Sequence, residues 1–282
     1  MSTFPCTGFH SGKHCSICWN QICAGVVSAY LGTGKEPDLV HNLFFKGAAD
    51  WQNALNSWRP KVSYGAVFTH QKPLVTFTSS TSKTLTCELA DLLIVITNHS
   101  SATRRAILFQ AKMARGSWPP ANKSQWELLT TWPKFQYIPH GTSAPVTRML
   151  PFLGRHDAGA QYMIMDTRTK TILGNAAVNP KPHSIPFSDF IYDFLNASTG
   201  RDISWSQSSA KDDWDELIWD LISSMKKAVA TIGGAPNQAR NVGTFFQLFS
   251  GAGGDDDRLY VHGEGWGVPL LVQIEIGSTG EI

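Results

Sequence analysis

The chain has 282 residues, of which 42% are hydrophobic and 16% charged, and a formal net charge of +2. That length allows one large domain or a compact core with an appendage, and the balance excludes general disorder and a globally basic surface. No run approaches the roughly 18 apolar residues of a membrane helix, and Met1 to Gly12 lacks a charged region leading into an apolar one; the expectation is a cytosolic protein with no signal peptide and no membrane span.

The first 35 residues are rich in Cys, His and Gly, and residues 17–31 read as a helix of small and apolar side chains. Gly32-Thr33-Gly34 breaks the chain. A helix then starts near Glu36, with Pro37 in its first turn, where the missing N–H costs nothing; Leu39, Val40, Leu43, Phe44 and Leu55 mark its apolar face. Pro73 to Thr78 reads as a short strand and Ser79 to Thr86 as a Ser/Thr-rich loop. Asp91 to Thr97 is a strand apolar on both faces, and so central in a sheet. Asn98 to Thr103 carries turn chemistry, Arg105 to Lys112 is the returning strand, Ser124 to Thr131 a helix, and Gln161 to Asp166 another strand. Further on, residues 188–195 and 210–231 read as helices, the second with Trp214, Leu217, Ile218, Leu221 and Ile222 as its apolar stripe. Gly251 to Asp257 reads as an acidic, Gly-rich turn without the EF-hand spacing, and Val268 to Ile276 as a late strand. We expect two regions: residues 1–35, Cys/His-rich, and residues 36–282, an α/β (α+β) domain with a mixed sheet flanked by helices and a C-terminal helical and strand extension.

The chemistry concentrates in the central hairpin. If Asp91 pairs with Lys112, then Leu93 pairs with Gln110. Side chains alternate along a strand, and paired residues share a face. Asp91, Gln110 and Lys112 then emerge together at one end of an otherwise apolar sheet. A carboxylate, an amide oxygen and the main-chain carbonyl of Ala111 are hard donors of the kind Mg²⁺ or Mn²⁺ takes. The cation polarises a phosphate and acidifies a bound water, and a lysine offsets the charge that develops. Singly, each residue has an ordinary structural role; it is their joint placement that points to phosphodiester hydrolysis.

The order helix, three strands, helix, strand, together with Asp91 and then Gln110-Ala111-Lys112, resembles the PD-(D/E)XK nuclease superfamily, and more closely its Mrr-type branch, where Gln replaces the acid before the lysine. The resemblance spans Glu36 to Asp166, about half the chain, and implies a restriction-endonuclease-like αβββαβ core and metal-dependent cleavage of DNA. Ala90 stands where the motif has proline. The resemblance also implies a metal-proximal glutamate from the first helix, for which Glu36 is the candidate and Glu88 the rival, and a polar residue on the helix after the motif, which Gln125 matches as a nucleic-acid contact.

Basic residues crowd the same stretch: Arg104, Arg105, Lys112, Arg115 and Lys123. Arg115 and Lys123 can meet phosphates flanking the scissile one, and Trp118, Trp126 and Trp132 can stack bases or pack in the core. Four of the five cysteines lie in the first 23 residues. Cys6, His10, Cys15 and Cys18 can surround a tetrahedral Zn²⁺, with His14 and Cys23 as spares; an iron–sulfur cluster or a set of buried thiols fits as well, and Cys87 reads as a core thiol. There is no P-loop and no Rossmann fingerprint, so nucleotide dependence has to come from a partner. The expected function is a Mg²⁺-dependent DNA endonuclease. The resemblance suggests an anti-phage defence effector in a prokaryote, acting as a homodimer or with a regulatory ATPase partner. The alternative is a catalytically silent nuclease fold that binds nucleic acid or a partner protein.

Overall fold

The structure is a computed structural model that describes residues 62–68, 73–98, 103–114, 122–139, 142–151, 159–169, 171–176, 185–187, 199–232, 260–262 and 270–276, with Leu39, Val40, Leu43 and Phe190. The helix expected over 17–31, the start of the helix at Glu36, all of the helix expected over 188–195 but Phe190, and the acidic turn at 251–257 lie outside these residues; Leu39, Val40, Leu43 and Phe190 are helical and buried.

In chain order the strands are β1 (Val62–Phe68), β2 (Leu74–Thr78), β3 (Thr84–Glu88), β4 (Leu92–Asn98), β5 (Thr103–Ala114), β6 (Phe135–Tyr137), β7 (Val146–Arg148), β8 (Ala160–Asp166), β9 (Thr171–Ala176), β10 (Ile185–Pro186), β11 (Arg201–Asp202), β12 (Tyr260–His262) and β13 (Leu270–Ile276). Two helices have defined bounds, α1 (Lys123–Thr131) and α2 (Asp213–Ile232). The protein is α+β. Its main sheet runs β10-β9-β8-β5-β4-β13-β1-β12, with β11 paired to β5, and a second sheet runs β3-β2-β6-β7.

β5 organises the main sheet. Its twelve residues are long enough for one edge to be shared: β11 pairs antiparallel with Arg105 and Ala106, while β8 runs parallel from Leu108 to Ala114. The other edge takes β4, antiparallel. A parallel β5–β8 pair requires a crossover, and α1 lies within it. β13 runs parallel to β4 and antiparallel to β1, so the last described strand lies beside the strand that follows Asp91.

Both faces of the sheet are covered, which is why β4 and β5 read as continuous apolar runs. On one face Leu93, Val95, Leu108, Tyr162 and Ile164 meet Leu128 and Leu129 of α1, the whole expected stripe of α2, and Val75, Phe77, Phe135 and Tyr137 of the second sheet. On the other face Phe109 sits edge-on against Phe187 and Phe190, with ring centroids 5.9 and 4.8 Å away.

Three expectations need correction. The Ser/Thr-rich segment is only half loop. The turn closes at Ser79 N to Lys83 O (2.8 Å), with Ser82 at φ 61°, and β-branched Thr84 and Thr86 then form β3, as their strand propensity favours. The strand expected at Pro73 to Thr78 belongs to the second sheet, where its alternating exposed and buried residues leave one side in water. The register of the central hairpin is two residues from the expected one: Leu92 faces Phe109. Asp91 therefore stands across from Gln110, its N–H donating to the Phe109 carbonyl at 2.9 Å. A slip of two preserves every side chain's face, so Gln110 and Lys112 keep the face that the expected register gave them.

Candidate active site

β4 begins at Leu92, paired with Phe109, while β5 continues to Ala114, so beyond Phe109 this edge of β5 carries no paired strand among the described residues. Asp91 fills its start. The Asp91 Oδ2 accepts the Ala111 backbone N–H at 2.8 Å and an N–H of the Gln110 side chain. The N–H and C=O of one strand residue point the same way, so the Ala111 carbonyl also faces this edge. Gln110 is 1% exposed and Ala111 0%. Lys112 is half-buried, on the same face as Gln110 and two residues further along.

Gln125 comes from α1, which Asn122 caps through its side-chain oxygen on Ser124 N (2.9 Å). Rather than reaching to solvent, Gln125 is 5% exposed and its Nε2 donates to Gln110 Oε1 at 2.9 Å. The expected nucleic-acid contact is thus a buried partner of the motif glutamine. A chain of hydrogen bonds runs Gln125 to Gln110 to Asp91.

The sequence reading missed two neighbours. Tyr162 pairs with Gln110 across β5 and β8 and is fully buried. Burial, then the nearby Cys87 and Asp91, push its pKa far up, so it stands here as a neutral phenol. Asp166 pairs with Ala114 on the same face as Lys112 and brings a second carboxylate towards this end. Burial pushes its pKa up, but the N–H groups of Thr169 (3.2 Å) and Arg168 (2.8 Å) outweigh that and hold it below the usual carboxylate value. Its signal was an Asp followed by turn residues at a strand end, the pattern of an Asx turn.

Other candidates lie elsewhere. Arg104 and Arg105 start β5, eight and seven residues before Lys112, so roughly 25 Å away at the usual rise per strand residue. Arg104 is buried over Trp219 at 4.9 Å and donates to the Trp205 carbonyl; Arg105 pairs with Asp202 at 3.2 Å. Nearness in sequence put them at the wrong end of the sheet. Glu88 pairs with Leu74 on the outer face of the second sheet, away from the Cys87 side. Trp126 stacks on Tyr162 (6.0 Å, 19°), and Trp132 packs on Phe135 and Trp214, so both are packing residues. Lys123 is exposed and lines a groove of about 370 Å³ with Ser80, Trp126, Glu127, Thr130 and Thr131. Glu36, Arg115, Trp118, Cys6, His10, His14, Cys15, Cys18 and Cys23 lie outside the described residues.

The donor set, one carboxylate, one amide and one main-chain carbonyl, is the hard-oxygen chemistry of Mg²⁺. Among the described residues no group of three or more His, Cys, Asp or Glu could hold a metal ion; a cation placed at this edge would have Asp91, Gln110 and Ala111 as donors, with water. In the arrangement described, Gln110 turns its amide nitrogen to Asp91. Rotating the amide about its last torsion brings the oxygen there instead, with almost no change of shape.

Among the described residues no helix is long and apolar enough to cross a membrane. No family model, characterised protein or solved structure compared with the chain matches it.

Proposed function

We propose that this protein is a metal-dependent endonuclease that hydrolyses phosphodiester bonds in DNA, built on a restriction-endonuclease-like αβββαβ core. In this reading the N-terminal helix, β1, β4, β5, α1 and β8 are the core, β2 and β3 belong to an insertion that forms the second sheet, and β13 enters between β1 and β4. The observation that carries the proposal is the bonding of Asp91 to Gln110 and Ala111, with Lys112 two residues beyond Gln110 on the same face of β5. Asp91 would supply the charge that holds a cation, and Ala111 and, with its amide reversed, Gln110 would supply neutral oxygens. Lys112 brings a positive charge to the same edge, where it can hold an attacking water or a phosphate oxygen. Magnesium bound there would polarise the phosphate and acidify water. A role in prokaryotic anti-phage defence is what the resemblance suggests.

The test is cleavage of supercoiled plasmid in Mg²⁺ and in chelator. Wild type should nick only in Mg²⁺, and Lys112→Ala should lose about a hundredfold, the scale on which one electrostatic contact to the transition state acts. Equal cleavage by both would remove Lys112 from the chemistry. One observation favours a second reading, a silent nuclease fold that binds nucleic acid or a partner: Gln125, Gln110 and Asp91 already satisfy one another. In that case no form cleaves and Mg²⁺ leaves thermal unfolding unchanged.

A further inference from the structure

Gln110 and Gln125 are two primary amides, each 5% exposed or less, bonded end to end behind a carboxylate. An amide offers an oxygen on one side and an NH₂ on the other. As they stand, each NH₂ points towards Asp91's end of the chain and each oxygen points back. A cation beside Asp91 requires the opposite sense at Gln110, oxygen forward. Its NH₂ would then face Gln125, and a buried donor facing another donor costs about 1–3 kcal/mol. Gln125 avoids that cost only by reversing too, presenting its oxygen. Leucine or lysine at 125 cannot serve both states; glutamine can.

Resting on the metal-site reading above, we propose that Gln125 is a positioning residue: the two buried amides reverse together, and this coupled reversal turns the site from its metal-free to its metal-bound form. Gln125 touches neither substrate nor cation. It acts by fixing which atom of Gln110 faces Asp91.

An ionised glutamate at 125 is an acceptor only, so Gln125→Glu, measured at a pH high enough to ionise it, fixes the Gln110 oxygen forward. In the wild-type background it should lower the Mg²⁺ concentration for half-maximal thermal stabilisation roughly fivefold, the factor that one net hydrogen bond represents. In a Gln110→Glu background there is no amide to orient, and the fivefold gain should vanish. An equal gain in both backgrounds means that the added charge alone attracts the cation, and overturns the proposal while leaving the metal site standing. No Mg²⁺ effect on wild type or on Gln110→Glu overturns the metal site and the proposal with it. If Gln125→Glu does not fold, side-chain amide NMR of the wild-type chain decides: Mg²⁺ should shift the Gln110 and Gln125 amide resonances in parallel along one titration curve. Movement of Gln110 alone refutes the coupled reversal.

Discussion

Replacing Asp91 separates its structural work from the chemical work proposed for it. Read from the sequence as a metal ligand leading a strand, Asp91 is expected to tolerate Asp91→Ala with unfolding nearly unchanged. In the structure its Oδ2 takes two N–H donors, both from residues at most 1% exposed. Alanine strands both. A buried donor without a partner costs about 1–3 kcal/mol; because Asp91 itself is only half-buried, water offsets part of this, and about 2–3 kcal/mol in total is expected. Asparagine behaves differently. Both bonds converge on a single oxygen, which an asparagine Oδ1 can occupy, so Asp91→Asn should cost under about 1 kcal/mol while removing the charge a cation needs. Urea unfolding of the three proteins, compared at constant m, measures both numbers. The reasoning fails if Asp91→Ala lies within about 0.5 kcal/mol of wild type, the range of an ordinary surface change, or if the two variants are equally destabilised.

Arg148 joins the second sheet to α2 through Asp220 (2.7 Å) and Glu216 (2.5 Å), with Tyr137 donating to the same Asp220 oxygen at 2.6 Å. Arg148 and Asp220 are only 14% and 16% exposed, so Arg148→Met should cost about 2 kcal/mol, below the full penalty for breaking a buried pair because solvent still reaches it; a loss under about 0.5 kcal/mol in urea would show a surface pair instead. Burial, with Glu88 adding to it, pushes the Cys87 thiol from its ordinary 9.0 up to about 12. The folded state then resists ionisation that the unfolded state undergoes, so this contribution is intact below about pH 9 and is lost as pH rises towards 12. Accordingly, Cys87 should resist alkylation at pH 8.5 until the protein unfolds, and peptide mapping that finds it modified in the native state would contradict its burial.

What the sequence made legible was local. The apolar runs of β4 and β5, the stripe of α2 and the helix after Trp118-Pro119-Pro120 follow from periodicity and breakers, and the structure has them within a few residues. The face shared by Gln110 and Lys112 was legible because alternation is insensitive to a slip of two, which is also why the register was not. Topology was not legible at all: β13 lies between β4 and β1 although some 170 residues separate it from β4, and no local pattern encodes that pairing. The role of Gln125 was hidden because a glutamine on a short helix reads as solvated; only the packing of α1 on β5 reveals that it faces inwards. Arg104 and Arg105 misled for the converse reason, being close to the motif in sequence but at the far end of a long strand.

The most direct test of the nuclease reading is plasmid cleavage by wild type and Asp91→Asn, side by side in Mg²⁺ and in chelator, after urea unfolding has shown that both are folded. Mg²⁺-dependent nicking by wild type, lost in Asp91→Asn, is the predicted result. No cleavage by wild type under any Mg²⁺ concentration, or undiminished cleavage by Asp91→Asn, would contradict it.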